Sequence, residues 1–126
     1  MTQENKDLLL ADFCARLSYG VKVLYENKVF SVDYISAKYE EIKLDIPDNY
    51  TLNITEVKPY LFPISSMTEE QCKELYDISE IRITFTPDRM IEVYKNTIEW
   101  FLKNHIDYNG LIEKGLAIDC TNLNIY

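Results

Sequence analysis

Residues 86–115 read TPDRMIEVYKNTIEWFLKNHIDYNGLIEKG, and this stretch decides how the chain can build a core. Thr86-Pro87-Asp88 is a helix start. The Thr86 hydroxyl can cap, Pro87 presets φ where no N–H is needed, and Asp88 meets the positive end of the helix dipole. At helical spacing, Met90, Ile91, Tyr94, Thr97, Ile98, Phe101, Leu102 and His105 fall within an arc of about 140°. Glu92, Lys95, Asn96, Glu99 and Lys103 lie opposite, with Glu99 four residues before Lys103, the better orientation for a helical ion pair. The pattern predicts a core helix, and Val93 and Trp100 on its flank call for a second element on that side.

Past Asn104 the period breaks. Asp107-Tyr108-Asn109-Gly110 reads as a turn, and residues 111–115 as a short helix ended by Gly115 at C′. Leu116-Ala117-Ile118 is expected to return into the core, and the polar residues 121–126 to fray.

Upstream, residues 5–17 predict a helix, with Leu9, Leu10, Phe13, Cys14 and Leu17 inward and Gly20 as its exit. From Val21 the period switches to two. Val21, Val23 and Tyr25, then Phe30, Val32 and Tyr34, alternate with polar or exposed positions around a turn at Glu26-Asn27-Lys28, which predicts a hairpin. Ile42, Leu44 and Ile46 give a third strand. Pro47-Asp48-Asn49 then turns the chain into a fourth at Tyr50, Leu52 and Ile54. Pro59 and Pro63 argue against a central strand in PYLFP. Thr68-Glu69-Glu70-Gln71 is a capping box ahead of a short helix with Cys72, Leu75 and Tyr76 inward, and Ile81, Ile83 and Phe85 predict a fifth strand. The expected fold is α+β: one domain over residues 1–126, β-rich over 20–66 and helical over 67–118. Its small antiparallel sheet could curl into an SH3-like half-barrel between an N-terminal helix and the main C-terminal helix.

A chain of 126 residues with 47% hydrophobic and 27% charged residues has ordinary globular proportions. No apolar run reaches the roughly 18–20 residues of a membrane span, and the N-terminus lacks a basic, then apolar, leader, so a cytoplasmic protein away from membranes is expected. Net charge is −8 and uneven. Residues 47–80 hold seven acidic side chains against two basic ones, whereas the segments on either side are nearly balanced. Nucleic-acid binding needs a basic footprint to neutralise phosphates, and none is present, so direct nucleic-acid binding is not expected. The acidic stretch suits a solvated face, a dock for a basic partner, or a mimic of nucleic acid.

The three glycines exclude glycine-rich phosphate cradles, and no metalloprotease, nucleophile-elbow or C-x-x-C pattern occurs. Cys14, Cys72 and Cys120 with His105 supply the residue types of a Cys₃His zinc site without its close ligand pairs, so neither metal nor cofactor is expected. A catalytic triad could use only His105, with Asp107 and Asp119 as partners. A histidine in a last helical turn also serves free carbonyls and the dipole. Ten tyrosines stand out. Tyr25, Tyr34, Tyr50, Tyr60, Tyr76 and Tyr94 are expected inward, whereas Tyr108 beside Asn109 is a candidate contact. Candidate partner-binding residues are therefore Glu69, Glu70, Glu74, Tyr108 and Asn109. His105, Asp107 and Asp119 form the alternative enzyme site.

The segments DLLLADFCARLSYGVKVLYENKVF, VKPYLFPISSMTEEQ and NHIDYNGLIEKGLAID together resemble short proteins of gut anaerobic bacteria (Bacteroides-type) and of their phages and mobile elements. The resemblance covers most of the chain and carries no assigned chemistry. It implies a phage or mobile-element accessory protein, while the missing catalytic motifs, the acidic middle and the tyrosines lead to the expectation of a non-enzymatic protein that acts through protein–protein interaction.

Overall fold

The computed structural model describes residues 1–46, 51–79 and 86–126. The turn expected at Pro47-Asp48-Asn49, the Tyr50 position and the strand expected at Ile81, Ile83 and Phe85 lie outside the described residues.

The Thr2 hydroxyl accepts the Asn5 N–H at 3.1 Å and so starts helix α1 (Gln3–Arg16). A 3₁₀ turn over Leu17–Tyr19 and Gly20, at φ 73°, lead the chain away. Leu9 and Phe13 enter the core as the spacing predicts, but Cys14 is exposed. Asp12 and Arg16 are fully buried in the adjoining positions, so the inward face is rotated toward them.

The hairpin forms between β1 (Lys22–Tyr25) and β2 (Lys28–Ser36). Glu26 and Asn27 both take positive φ, 48° and 61°, the backbone that a two-residue turn needs to match strand twist. Against β3 (Glu41–Leu44), Val32 faces Leu44 but Tyr34 faces Lys43, so one extra residue is inserted between them. That bulge exchanges the faces of β2. Ile35 now stands opposite buried Ile42, and Tyr34, expected inward, is turned out and 52% exposed. The short β4 (Leu52–Asn53) adds to β3.

β5 (Lys58–Pro63) corrects the reading of its prolines, because it lies inside the sheet. It pairs antiparallel with β1 and parallel with β6 (Ile106–Asp107) and β7 (Ile118–Asp119). Pro59 and Pro63 stand near its two ends. Groups in use between them include the Tyr60 carbonyl, which accepts from the Tyr126 hydroxyl, the Leu61 carbonyl, which accepts the Cys120 N–H, and the Phe62 N–H, which donates to the His105 carbonyl. Pro59 is the last residue paired with β1 and Pro63 the last paired with β6, so each missing donor falls at the end of a pairing. The order is β4-β3-β2-β1-β5-β6 with β7 also on β5, and no pairing among the described residues closes it on itself. The segment expected to be helical over 67–118 thus returns two strands to the sheet. The core that they enclose includes Leu9, Phe13, Val23, Ile42, Leu44, Ile54, Leu61 and Leu111. Each such burial contributes about 1.5–3 kcal/mol.

The Thr68–Gln71 capping box is present, with reciprocal bonds of 3.1 and 3.0 Å opening α2 (Glu69–Ser79). No residue of α2 is buried, and Cys72 and Tyr76, expected inward, are exposed. Thr86 and Pro87 start α3 (Pro87–Lys103) as the sequence predicts. Its apolar stripe splits in two. Trp100 and Leu102 are buried, whereas Met90, Ile91 and Tyr94 are 54%, 67% and 71% exposed. α2 packs along α3 on the Val93–Trp100 flank, and the sheet takes only the far end. Glu99 pairs with Lys95 at 4.0 Å rather than with Lys103.

Candidate functional site

The last turn of α3 ends at Asn104, whose side-chain amide donates to the Trp100 carbonyl at 2.9 Å. His105 is therefore past the helix, at φ 58°, and not on the helical stripe. Its ring lies flat on Tyr126, with centroids 3.6 Å apart and planes 10° apart. Burial, and then the charges of Arg16 and Lys22, lower its pKa from the ordinary 6.5 to about 4. A carboxylate at hydrogen-bonding distance would act the other way.

Asp107 is buried and accepts the Leu111 and Ile112 N–H groups, both at 2.9 Å. The turn that it opens closes with Leu116 N–H on the Leu111 carbonyl and Gly115 N–H on the Ile112 carbonyl. Residues 111–115 are a run of turns and not the short helix expected, and Gly115, at φ 73°, still takes the left-handed stop expected of it. Asp119 is exposed and holds Thr121 through backbone and side-chain bonds, which lower its pKa. Among the described residues, no hydrogen bond or ion pair joins any two of His105, Asp107 and Asp119. Each carboxylate organises its own turn. Cys14 and Cys72 are exposed, Cys120 is buried with its thiol pushed up to about 11 by burial, and no three potential ligands converge among the described residues.

Beneath this turn lies a buried polar cluster that the sequence reading missed. Arg16 Nε donates to Asp12 Oδ2 at 2.8 Å, and Arg16 Nη2 to the Ile106 carbonyl at 2.7 Å. Asn109 donates to the other oxygen of Asp12 at 3.0 Å, and the Arg16 guanidinium lies 5.3 Å from the Tyr108 ring centroid. Tyr108 also stacks with Phe101 at 5.7 Å. The inner groups of Tyr108 and Asn109 thus fasten residues 104–110 to α1, and both residues remain half-buried. The only sequence signal was a Asp12–Arg16 spacing of four on one helix, which an exposed pair would show equally.

Glu69, Glu70 and Glu74 are exposed along α2, where four acidic residues accompany one lysine. Glu70, Glu74 and Asp77 follow one another at helical spacing and form one acidic face. Glu74 and Asp77 also border a cleft of about 500 Å³ between α2 and α3, with Tyr19, Val93 and Trp100 in its lining. The sequence foresaw the acidic helix and the Trp100 flank but not the hollow between them. No helix among the described residues is long and apolar enough to cross a membrane. Comparison with family models, with curated proteins and with solved structures returned no match.

Proposed function

We propose that this chain is a non-enzymatic accessory protein that works by docking on another protein, in the phage or mobile-element setting that its resemblance implies. One observation carries the reading: the outer half of α3 presents Met90, Ile91 and Tyr94 side by side to solvent, on the same stripe that buries Leu102 further along. Isolated apolar residues on a surface need no explanation, but a contiguous helical stripe is the form in which an amphipathic helix meets a partner. Half-exposed Tyr76 on α2 adds aromatic area of the kind enriched at interfaces.

The acidic residues of α2 favour a partner with a basic surface. The same charge argues against a second copy as the occupant, because two chains of net charge −8 repel.

The test is affinity capture from a native host with the wild type and with I91D/Y94D, beside size-exclusion chromatography of both. A specific partner captured by the wild type and lost by the variant, both proteins being monomeric and equally stable, is the expected result. Equal capture by the variant, or a wild-type dimer that the variant abolishes, overturns the proposal.

A further inference from the structure

Nine asparagines occur in the chain, and Asn109 alone is followed by glycine. In that pair an asparagine amide is lost most readily, because glycine has no Cβ to hinder attack of its own nitrogen on the preceding side chain. The surroundings leave this nitrogen available. The Leu111 and Ile112 N–H groups are held by Asp107, and the Gly110 carbonyl accepts the Lys114 N–H at 3.4 Å. The Gly110 N–H itself makes no hydrogen bond among the described residues. Gly110 has φ 71°, and nothing lies within 4 Å of the place where a Cβ would stand, so the chain is open on that side.

The amide concerned ties two elements together. Asn109 Nδ2 donates to Asp12 Oδ1 at 3.0 Å, and the second oxygen of Asp12 is taken by Arg16 Nε at 2.8 Å. Asp12 is 1% exposed. Loss of the amide removes its donor and adds a negative charge beside it. Two carboxylates in one buried site do not both stay ionised in place: one takes up a proton or the two part. The bond to Asp12 also steadies the amide, so the reaction belongs to moments when the segment lifts from α1.

We propose that Asn109-Gly110 is a self-modifying site whose reaction releases residues 104–110 from α1 irreversibly. The Gly110 nitrogen gives up its proton and attacks Asn109 Cγ. A Cγ–N bond forms, the Cγ–Nδ2 bond breaks, and Nδ2 leaves as ammonia with that proton. Water then opens the five-membered imide. Cleavage at Cγ leaves an aspartyl residue, and cleavage at the main-chain carbonyl leaves an isoaspartyl one. Water is the one co-reactant, and no electrons change hands. Either product adds a negative charge and removes the amide that Asp12 binds. The site is independent of the docking reading, whose stripe lies on α3.

The experiment ages the full chain in mildly alkaline buffer and follows every asparagine by peptide mass spectrometry. Amide loss at Asn109 at least tenfold faster than at any other asparagine is expected, and loss no faster than elsewhere overturns the site. The release is read by hydrogen exchange in N109A, which removes the donor without adding charge, and in N109D, which is the aspartyl product. Exchange over residues 104–112 at least tenfold faster in N109D than in N109A, with β2 and β3 alike in both, is expected. The product isolated from aged wild type by its added charge should behave as N109D does, and it carries the comparison if that variant does not fold. Equal exchange in the two variants overturns the release, because loss of the hydrogen bond would then suffice. Slower exchange in N109D overturns it as well, the new carboxylate having been taken up by Arg16, whose Nη1 has no acceptor among the described residues. A rise spread evenly over the chain overturns it in favour of global unfolding.

Discussion

His105 and Tyr126 stack ring on ring where the C-terminal tail meets the sheet. The Tyr126 hydroxyl accepts the Lys22 N–H and donates to the Tyr60 carbonyl, both at 2.9 Å, so it joins β1 to β5. The tail expected to fray is pinned there, and burial pushes the phenol up to about 12. His105 stacks beneath it as a neutral ring, since its folded pKa is about 4 against an ordinary 6.5. The sign follows directly. Below pH 6.5 the unfolded chain binds a proton that the folded one refuses, so stability falls as pH drops from about 6.5 to 4 and levels off below that. Asparagine tolerates the φ of 58° at this position without titrating. H105N is therefore expected to flatten the decline between pH 6.5 and 5, above the range where ordinary carboxylates titrate. Urea unfolding of both proteins across that window measures it, and parallel slopes would exclude His105 as the source.

Among the elements, α1 and the 104–110 segment are locked through the buried Asp12–Arg16 pair, with Ile106 and Asn109 bonded to it and Arg16 Nη1 left without an acceptor among the described residues. Desolvating two charges is costly, so such a pair orders the structure more surely than it stabilises it. Removing one member is another matter, because the remaining charge is stranded. D12A is expected to cost about 3–5 kcal/mol, whereas D12L/R16M, which removes both charges at similar volume, should cost clearly less. Chemical denaturation of the two variants decides this, and equal losses would show that packing and not charge holds α1 there. The same contrast explains what the sequence reveals. The Thr86 cap, the Thr68–Gln71 box, the Glu26-Asn27 turn and the Gly115 stop are legible because each is local chemistry within a few residues. The burial of Arg16, the place of β5 within the sheet, the bulge that turns out Tyr34 and the bare outer half of α3 all depend on what arrives from elsewhere in the chain. Periodicity marks a stripe as apolar but does not say how much of it is covered. The cleft was hidden for the same reason, since its walls belong to two helices whose approach no local pattern encodes.

For the molecule as a whole, shape and charge are divided between two ends. The sheet, α1 and the 104–120 return bury the core, while α2 and the outer half of α3 bury little and carry, respectively, an acidic face and an apolar stripe. Such a division separates the kinetics of docking into two parts. Exposed charge acts at long range and sets the encounter rate, and salt screens it beyond about 8 Å at physiological ionic strength. Apolar area acts only after contact and sets how long the complex lasts. Against the captured partner, E69K/E70K is therefore expected to lower the association rate and its sensitivity to salt, with dissociation nearly unchanged, because both residues stand at the exposed start of α2. I91D/Y94D should instead speed dissociation by at least tenfold and leave the salt dependence of association close to that of the wild type. Surface plasmon resonance at low and high salt resolves both rates. If the two variants alter the same rate, charge and stripe do not act in succession, and the contact must lie on another face of the molecule.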